Sequence, residues 1–133
     1  MTLVIDASAA VEYLLQTRIG VRVGALLDAA DAAAPELMDA EVLAVLRREV
    51  RAGRVTQRRA AEAVQDLIDW GVVRVSHRLL LAEAWALRGH VSAYDALYVA
   101  TARIRGADLV TADGPLARAP GLGIAIHDVR AVT

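Results

Sequence analysis

Four acids carry the chemical potential of this chain. Asp6, Asp95 and Asp113 stand where apolar segments meet loops or helix starts, and Glu41 interrupts an apolar helical stripe, four residues from both Leu37 and Val45. Carboxylates of this kind suit Mg²⁺ or Mn²⁺, hard cations that prefer octahedral oxygen coordination. Gathered without a cation they would repel one another, and some would keep their protons. A divalent ion reverses that balance.

Each acid also has a plainer role that stays open on spacing alone. Asp95 follows Ser92 at the interval of a capping box, SAYD, although that motif prefers glutamate or glutamine as its second member. Asp113, before Gly114 and Pro115, suits a turn, and Asp6 suits a helix cap. Glu41 is harder to dismiss, because a buried carboxylate is costly without a partner, but an arginine could supply one. Asp39, Asp66, Asp69 and Asp128 read as solvated faces or caps.

Ser8 lacks the G-x-S-x-G setting of an activated nucleophile, so it is expected to cap a helix or to support a metal-bound acid. Thr111 is a plain strand threonine or a second such support. His77, His90 and His127 have no metal-ligand spacing and read as isolated polar residues, and the GLG at 121–123 lacks the rest of a dinucleotide fingerprint.

The elements that must position these residues follow from periodicity. TLVI is a continuous apolar run, as expected of a buried parallel strand, and ASAAVEYLL after Asp6 turns helical. A second helix is expected over 18–30 and a short strand over 31–34. Pro35 is then placed to open a helix running to about Arg51, since its missing amide proton is not needed there. Gly53 stops that helix, Thr56 caps the next, and Gly71 ends it, giving a helical hairpin. VVRVS is a strand, 78–88 a helix closed by Gly89, and Ser92 to Arg105 a helix closed by Gly106. ADLVTAD is the clearest strand after the first, and IAIHDV an edge strand. Strands alternating with helices imply parallel pairing through right-handed crossovers, with a functional crevice beyond the carboxyl ends of the strands. The expected fold class is α/β, a three-layer α/β/α sandwich around a central, mainly parallel sheet.

Composition removes rival chemistries. The chain has no cysteine, which excludes disulfides, thiolate catalysis and cysteine-rich zinc sites. All fifteen basic residues are arginine, so there is no P-loop lysine, no Schiff-base lysine and no lysine of the receiver or aspartyl-phosphatase kind. A net charge of -1 means that any basic surface for nucleic acid is local. Arg47, Arg48, Arg51, Arg54, Arg58 and Arg59 concentrate around the hairpin, as a solubilising face or as a path for a phosphate backbone. Trp70, Trp85, Tyr94 and Tyr98 are expected in the core or at an interface rather than as base-stacking platforms. With 133 residues the chain fits one domain, and neither a basic leader nor a run of roughly 20 apolar residues is visible. A cytoplasmic protein without membrane association is expected.

The stretches VIDASAAVEYLL, PELMDAEVLAVLRR and SAYDALYVATARIRGADLVTAD together resemble the PIN-domain ribonucleases, most closely the VapC toxins of VapBC toxin–antitoxin pairs. They cover most of the chain in the family's order; the tail over 121–133 is the least diagnostic region. The resemblance implies a single PIN domain over 1–133 and a catalytic, metal-binding site of Asp6, Glu41, Asp95 and Asp113, supported by Ser8 and Thr111. It implies Mg²⁺- or Mn²⁺-dependent hydrolysis of RNA, a homodimeric toxin, and a VapB-like antitoxin that covers the crevice and alone binds operator DNA. The alternatives are a housekeeping PIN nuclease of RNA processing and a PIN-like RNA- or protein-binding module that no longer cuts.

Overall fold

The computed structural model of the chain describes residues 1–131, so the last two residues of the expected 1–133 domain lie outside it. Five strands, β1 (Thr2–Ile5), β2 (Asp31–Pro35), β3 (Val73–Val75), β4 (Asp108–Thr111) and β5 (Ile126–Asp128), form one sheet in the order β3-β2-β1-β4-β5. Every adjacent pair is parallel. Successive side chains of a strand point to opposite faces, yet Leu3, Val4 and Ile5 of β1 and Leu109 and Val110 of β4 are all buried. Both faces are therefore covered, and the molecule is the expected α/β/α sandwich.

Among the described residues the covering helices are α1 (Ala7–Leu14), α2 (Arg18–Leu27), α3 (Leu37–Arg51), α4 (Gln57–Asp69), α5 (Leu81–Ala86), α6 (Ala93–Arg105) and the single turn α7 (Gly114–Ala117). Small residues let them approach closely. Ala7, Ala9 and Ala10 of α1 and Ala96, Ala100 and Ala102 of α6 are buried. A Cβ on Gly20 of α2 would lie 2.0 Å from the Glu12 carbonyl oxygen of α1. Thr17 and Ser92 cap α2 and α6 by accepting from the amides of Gly20 and Asp95, and Thr56 caps α4 through the Arg59 amide. Gly106 ends α6 in the left-handed region at φ 60°.

Several elements differ from expectation. Pro35 does not open α3; it ends β2, where its missing amide costs the ladder nothing and the Glu36 amide donates to the Val75 carbonyl instead. Helix α2 stops at Leu27, short of Ala30. The helix expected over 78–88 is a 3₁₀ turn, His77–Leu79, followed by the short α5. Of the four aromatics expected in the core or at an interface, Tyr98 is buried and Trp70 partly buried, whereas Trp85 and Tyr94 are exposed. Two histidines are not isolated: His77 Nε2 accepts from the Leu37 amide at the start of α3, and His127 lies 3.0 Å from Asp108. Asp39 is paired with Arg74 at 3.1 Å rather than simply solvated.

Candidate active site

The chain builds β1, β2 and β3 outward on one side, then returns to lay β4 and β5 on the other. The order reverses between β1 and β4. At such a reversal the connections leaving two neighbouring strands go opposite ways and open a crevice beyond their carboxyl ends. Asp6 follows β1 directly, and Asp113 lies two residues past β4.

Register explains the local geometry. Ile5 pairs with Val110, which sets Asp6 level with Thr111 on the adjacent strand. The Thr111 hydroxyl donates to Asp6 Oδ2, and the Ser8 hydroxyl donates to Oδ1 at 2.6 Å. Asp6 also caps α1, its Oδ1 accepting from the Ala9 amide at 3.0 Å. Each hydroxyl in turn accepts a backbone amide of the loop that carries Asp113: Ser8 Oγ from Ala112 and Thr111 Oγ1 from Asp113, both at 2.9 Å. One network therefore fixes both aspartates. Asp113 is not the last residue of a strand, as expected, but the N-cap of α7, its carboxylate accepting from the Leu116 amide.

Asp95 sits in the first turn of α6, half-buried, with Tyr98 one turn further on the same face. Glu41 comes from α3. The buried stripe of that helix is Met38, Val42 and Leu46, one position round from the face expected, so Glu41 lies at the stripe's edge with Val45 rather than within it. Its partner is not an arginine. Tyr98, itself buried, donates its hydroxyl to Glu41 Oε1 at 2.6 Å.

Asp6, Glu41, Asp95 and Asp113 all line one crevice of about 300 Å³, with Ser8 and Tyr98 in its wall and Arg48 at its rim. Burial pushes the Asp6 carboxyl up to about 6, against the pull of its hydrogen bonds from Ser8, Thr111 and Ala9 and with a small further push from Asp113. Asp95 is also raised, first by burial and then by the charges of Asp113 and Glu41, with Ser92 offsetting part of the rise. The Tyr98 phenol is driven far above its usual range by burial and by Glu41. It is a permanent donor.

The donor set fits a hard divalent cation in its chemistry. The polar side chains of the crevice are oxygen donors apart from Arg48, and a positive ion would relieve the mutual repulsion that raises Asp95. As the side chains stand, no three acids or histidines among the described residues are close enough to share one ion. Asp6, Glu41 and Asp113 are turned instead to protein donors. Of the hairpin arginines, Arg54 is bound to Glu49 and Arg59 to the Leu14 carbonyl, whereas Arg48 faces the crevice. Tyr98 is the residue that sequence reasoning expected in the core or at an interface, with no part in the site; it is buried and yet lines the crevice. Its spacing of three from Asp95 was the available signal, but nothing in the sequence marks Glu41 as its acceptor.

A parallel sheet with acids gathered at its reversal point defines a class of protein, and the PIN-domain profile matches residues 3–122. The chain belongs to the PIN-domain family. It is 40% identical over 132 residues to Ribonuclease VapC1 of Mycobacterium tuberculosis, covering 96% of this chain and 97% of that protein. Ribonuclease VapC3 of the same organism is 41% identical over 117 residues, 87% of this chain and 85% of the relative. Among solved structures, VapBC2 from Rickettsia felis bound to a DNA fragment from their promoter superposes with a TM-score of 0.64 at 17% identity, covering 96% of this chain and 98% of that one. PAE2754 from Pyrobaculum aerophilum gives 0.62 at 24% identity, over 87% and 82% of the two chains. These two likenesses establish the fold.

Proposed function

We propose that this chain is the toxin of a toxin–antitoxin pair, a single-domain endoribonuclease of the VapC kind that hydrolyses RNA phosphodiester bonds with Mg²⁺ or Mn²⁺. The observation that carries the reading is the convergence of Asp6, Glu41, Asp95 and Asp113 on one crevice at the reversal between β1 and β4. Near-full-length identity to ribonucleases of that name supports it.

Asp6, Asp95 and Asp113 are the direct ligands in this reading, and Glu41 acts through water or on a second ion. When bound, the cation supplies positive charge to the reacting phosphodiester and acidifies water. The protein's part is positional. Ser8 and Thr111 hold Asp6 and the Asp113 loop in one orientation, so little reorganisation is needed when substrate arrives. Arg48 places a guanidinium beside four acids, where it offsets their repulsion of a phosphate and binds its oxygens. No lysine or histidine lines the crevice, so the proton of the attacking water passes to a carboxylate or to solvent.

The partners follow the same reading: a VapB-like antitoxin that occupies the crevice, presents a cationic side chain to the acids and alone contacts operator DNA. Leu79, Leu81, Trp85 and Tyr94 are exposed around α5 and the start of α6, and Leu81 and Trp85 line an apolar groove with Val91 and Leu97, a surface suited to a homodimer. Among the described residues no helix is long and apolar enough to cross a membrane; in this reading the toxin acts in the cytoplasm.

Purified protein free of antitoxin should cleave RNA when Mn²⁺ or Mg²⁺ is added and stop on chelation. Asp95→Asn should lower the rate by roughly a hundredfold or more, the scale of losing a group that acts on the transition state. Equal cleavage by that variant would trace the activity to a contaminant or to another site, and activity that survives chelator would remove the metal mechanism.

A further inference from the structure

Tyr98 ties two of the proposed ligand-bearing helices together at the crevice. Its backbone belongs to α6, one turn after Asp95, and its hydroxyl reaches across to Glu41 Oε1 on α3 at 2.6 Å. The ring is buried, 3% exposed, so it has one packed position from which to donate. Among the described residues Glu41 Oε2 has no hydrogen-bond donor, so the carboxylate is held by one oxygen and uncommitted at the other. A neutral donor matters here. An arginine in its place would cancel the carboxylate's charge and weaken its pull on a cation, whereas a phenol orients the group and leaves the charge intact.

We infer that Tyr98 is a positioning residue, whose hydroxyl clamps Glu41 through Oε1 so that Oε2 is the oxygen available to a divalent cation or its water. The inference rests on the metal-dependent reading of the crevice and adds to it a division of labour on α6. That helix contributes Asp95 as a ligand and, one turn on, the brace for a ligand on α3. A partner that only satisfied its own buried hydroxyl would have no reason to couple to cation binding.

The test is a double-mutant cycle of Tyr98→Phe and Glu41→Gln, read by calorimetric titration of antitoxin-free protein with Mn²⁺ and by RNA cleavage across Mn²⁺ concentrations. Tyr98→Phe keeps the ring and removes only the hydroxyl. It should weaken Mn²⁺ binding about tenfold and shift the Mn²⁺ requirement for cleavage by a similar factor, with the KM for RNA changed less than about twofold. In the Glu41→Gln background the same change should alter Mn²⁺ binding by less than about twofold, because the group being positioned no longer binds the ion. Equal effects in both backgrounds, or a Tyr98→Phe protein that binds Mn²⁺ like the wild type, would overturn the inference. So would failure of Tyr98→Phe to fold by circular dichroism, which would assign the hydroxyl to the fold. Asp95→Asn serves as the separate control: wild-type protein that binds no Mn²⁺, or Asp95→Asn protein that binds it undiminished, removes the metal reading itself, and the positioning role with it.

Discussion

At the scale of single residues, Asp6 is where function and stability oppose each other. An aspartate that unfolded titrates near 3.8 but folded holds its proton to about 6 is a liability above that pH. Between those values the folded chain keeps a proton the unfolded chain has released, so stability falls as pH rises through the window. By pH 7.5 the burden reaches ~3 kcal/mol. Urea unfolding of metal-free protein should therefore show less stability at pH 7.5 than at pH 4.5 from this group, and Asp6→Asn should remove most of that slope while abolishing cleavage. An unchanged slope would mean that another group carries it. Thr111 is the companion case. Thr111→Val removes the donor to Asp6 and the acceptor of the Asp113 amide together, and should cost ~1–3 kcal/mol by denaturant titration, with cleavage reduced as the Asp113 loop loosens.

At the scale of elements, the site depends on how closely α1 is held, since Asp6 caps α1 and Ser8 lies in its first turn. Gly20 sets that approach, because a methyl group there would meet the Glu12 carbonyl at 2.0 Å, a backbone atom with nowhere to go. Gly20→Ala should destabilise the fold by ~1–3 kcal/mol, measured by thermal or chemical denaturation, and lower cleavage by displacing α1. The elements legible in the sequence were those with continuous apolar runs and strong punctuation: β1 before Asp6, β4 before Asp113, the hairpin between Gly53 and Thr56, and α6 between Ser92 and Gly106. Less legible were boundaries set by partners distant in sequence. Pro35 suits a helix start and a strand end equally until Val75 is known to lie beside it, and the stretch before α5 opens as a 3₁₀ turn whose first residue, His77, accepts from the Leu37 amide of α3. All four acids could be singled out by type and placement. Their convergence followed from the family resemblance rather than from spacing, because it depends on the reversal between β1 and β4, and the Tyr98–Glu41 bond, which joins residues 57 apart in the chain, had no signal at all.

At the scale of the whole molecule, a chain with a net charge of -1 offers RNA little general attraction, so binding must be local to Arg48 and the acids that a cation neutralises. Arg48→Ala should then raise the KM for RNA several-fold and flatten its dependence on salt, while kcat falls less. The apolar face around α5 makes a second prediction at this scale. Trp85, 68% exposed and stacked against Arg88, should be covered by a second copy, and Trp85→Glu should convert a dimer to a monomer in light scattering after gel filtration. A wild-type monomer at the same concentration would exclude that interface. The central claim is that the four acids at the β1–β4 reversal form a divalent-cation site. Crystals of antitoxin-free protein soaked in Mn²⁺ and measured for anomalous scattering test it most directly. The account predicts a strong peak in the crevice within bonding distance of Asp6, Asp95 and Asp113, absent in Asp95→Asn. A crevice without a peak at saturating Mn²⁺, or one whose peak survives that substitution unchanged, would contradict it.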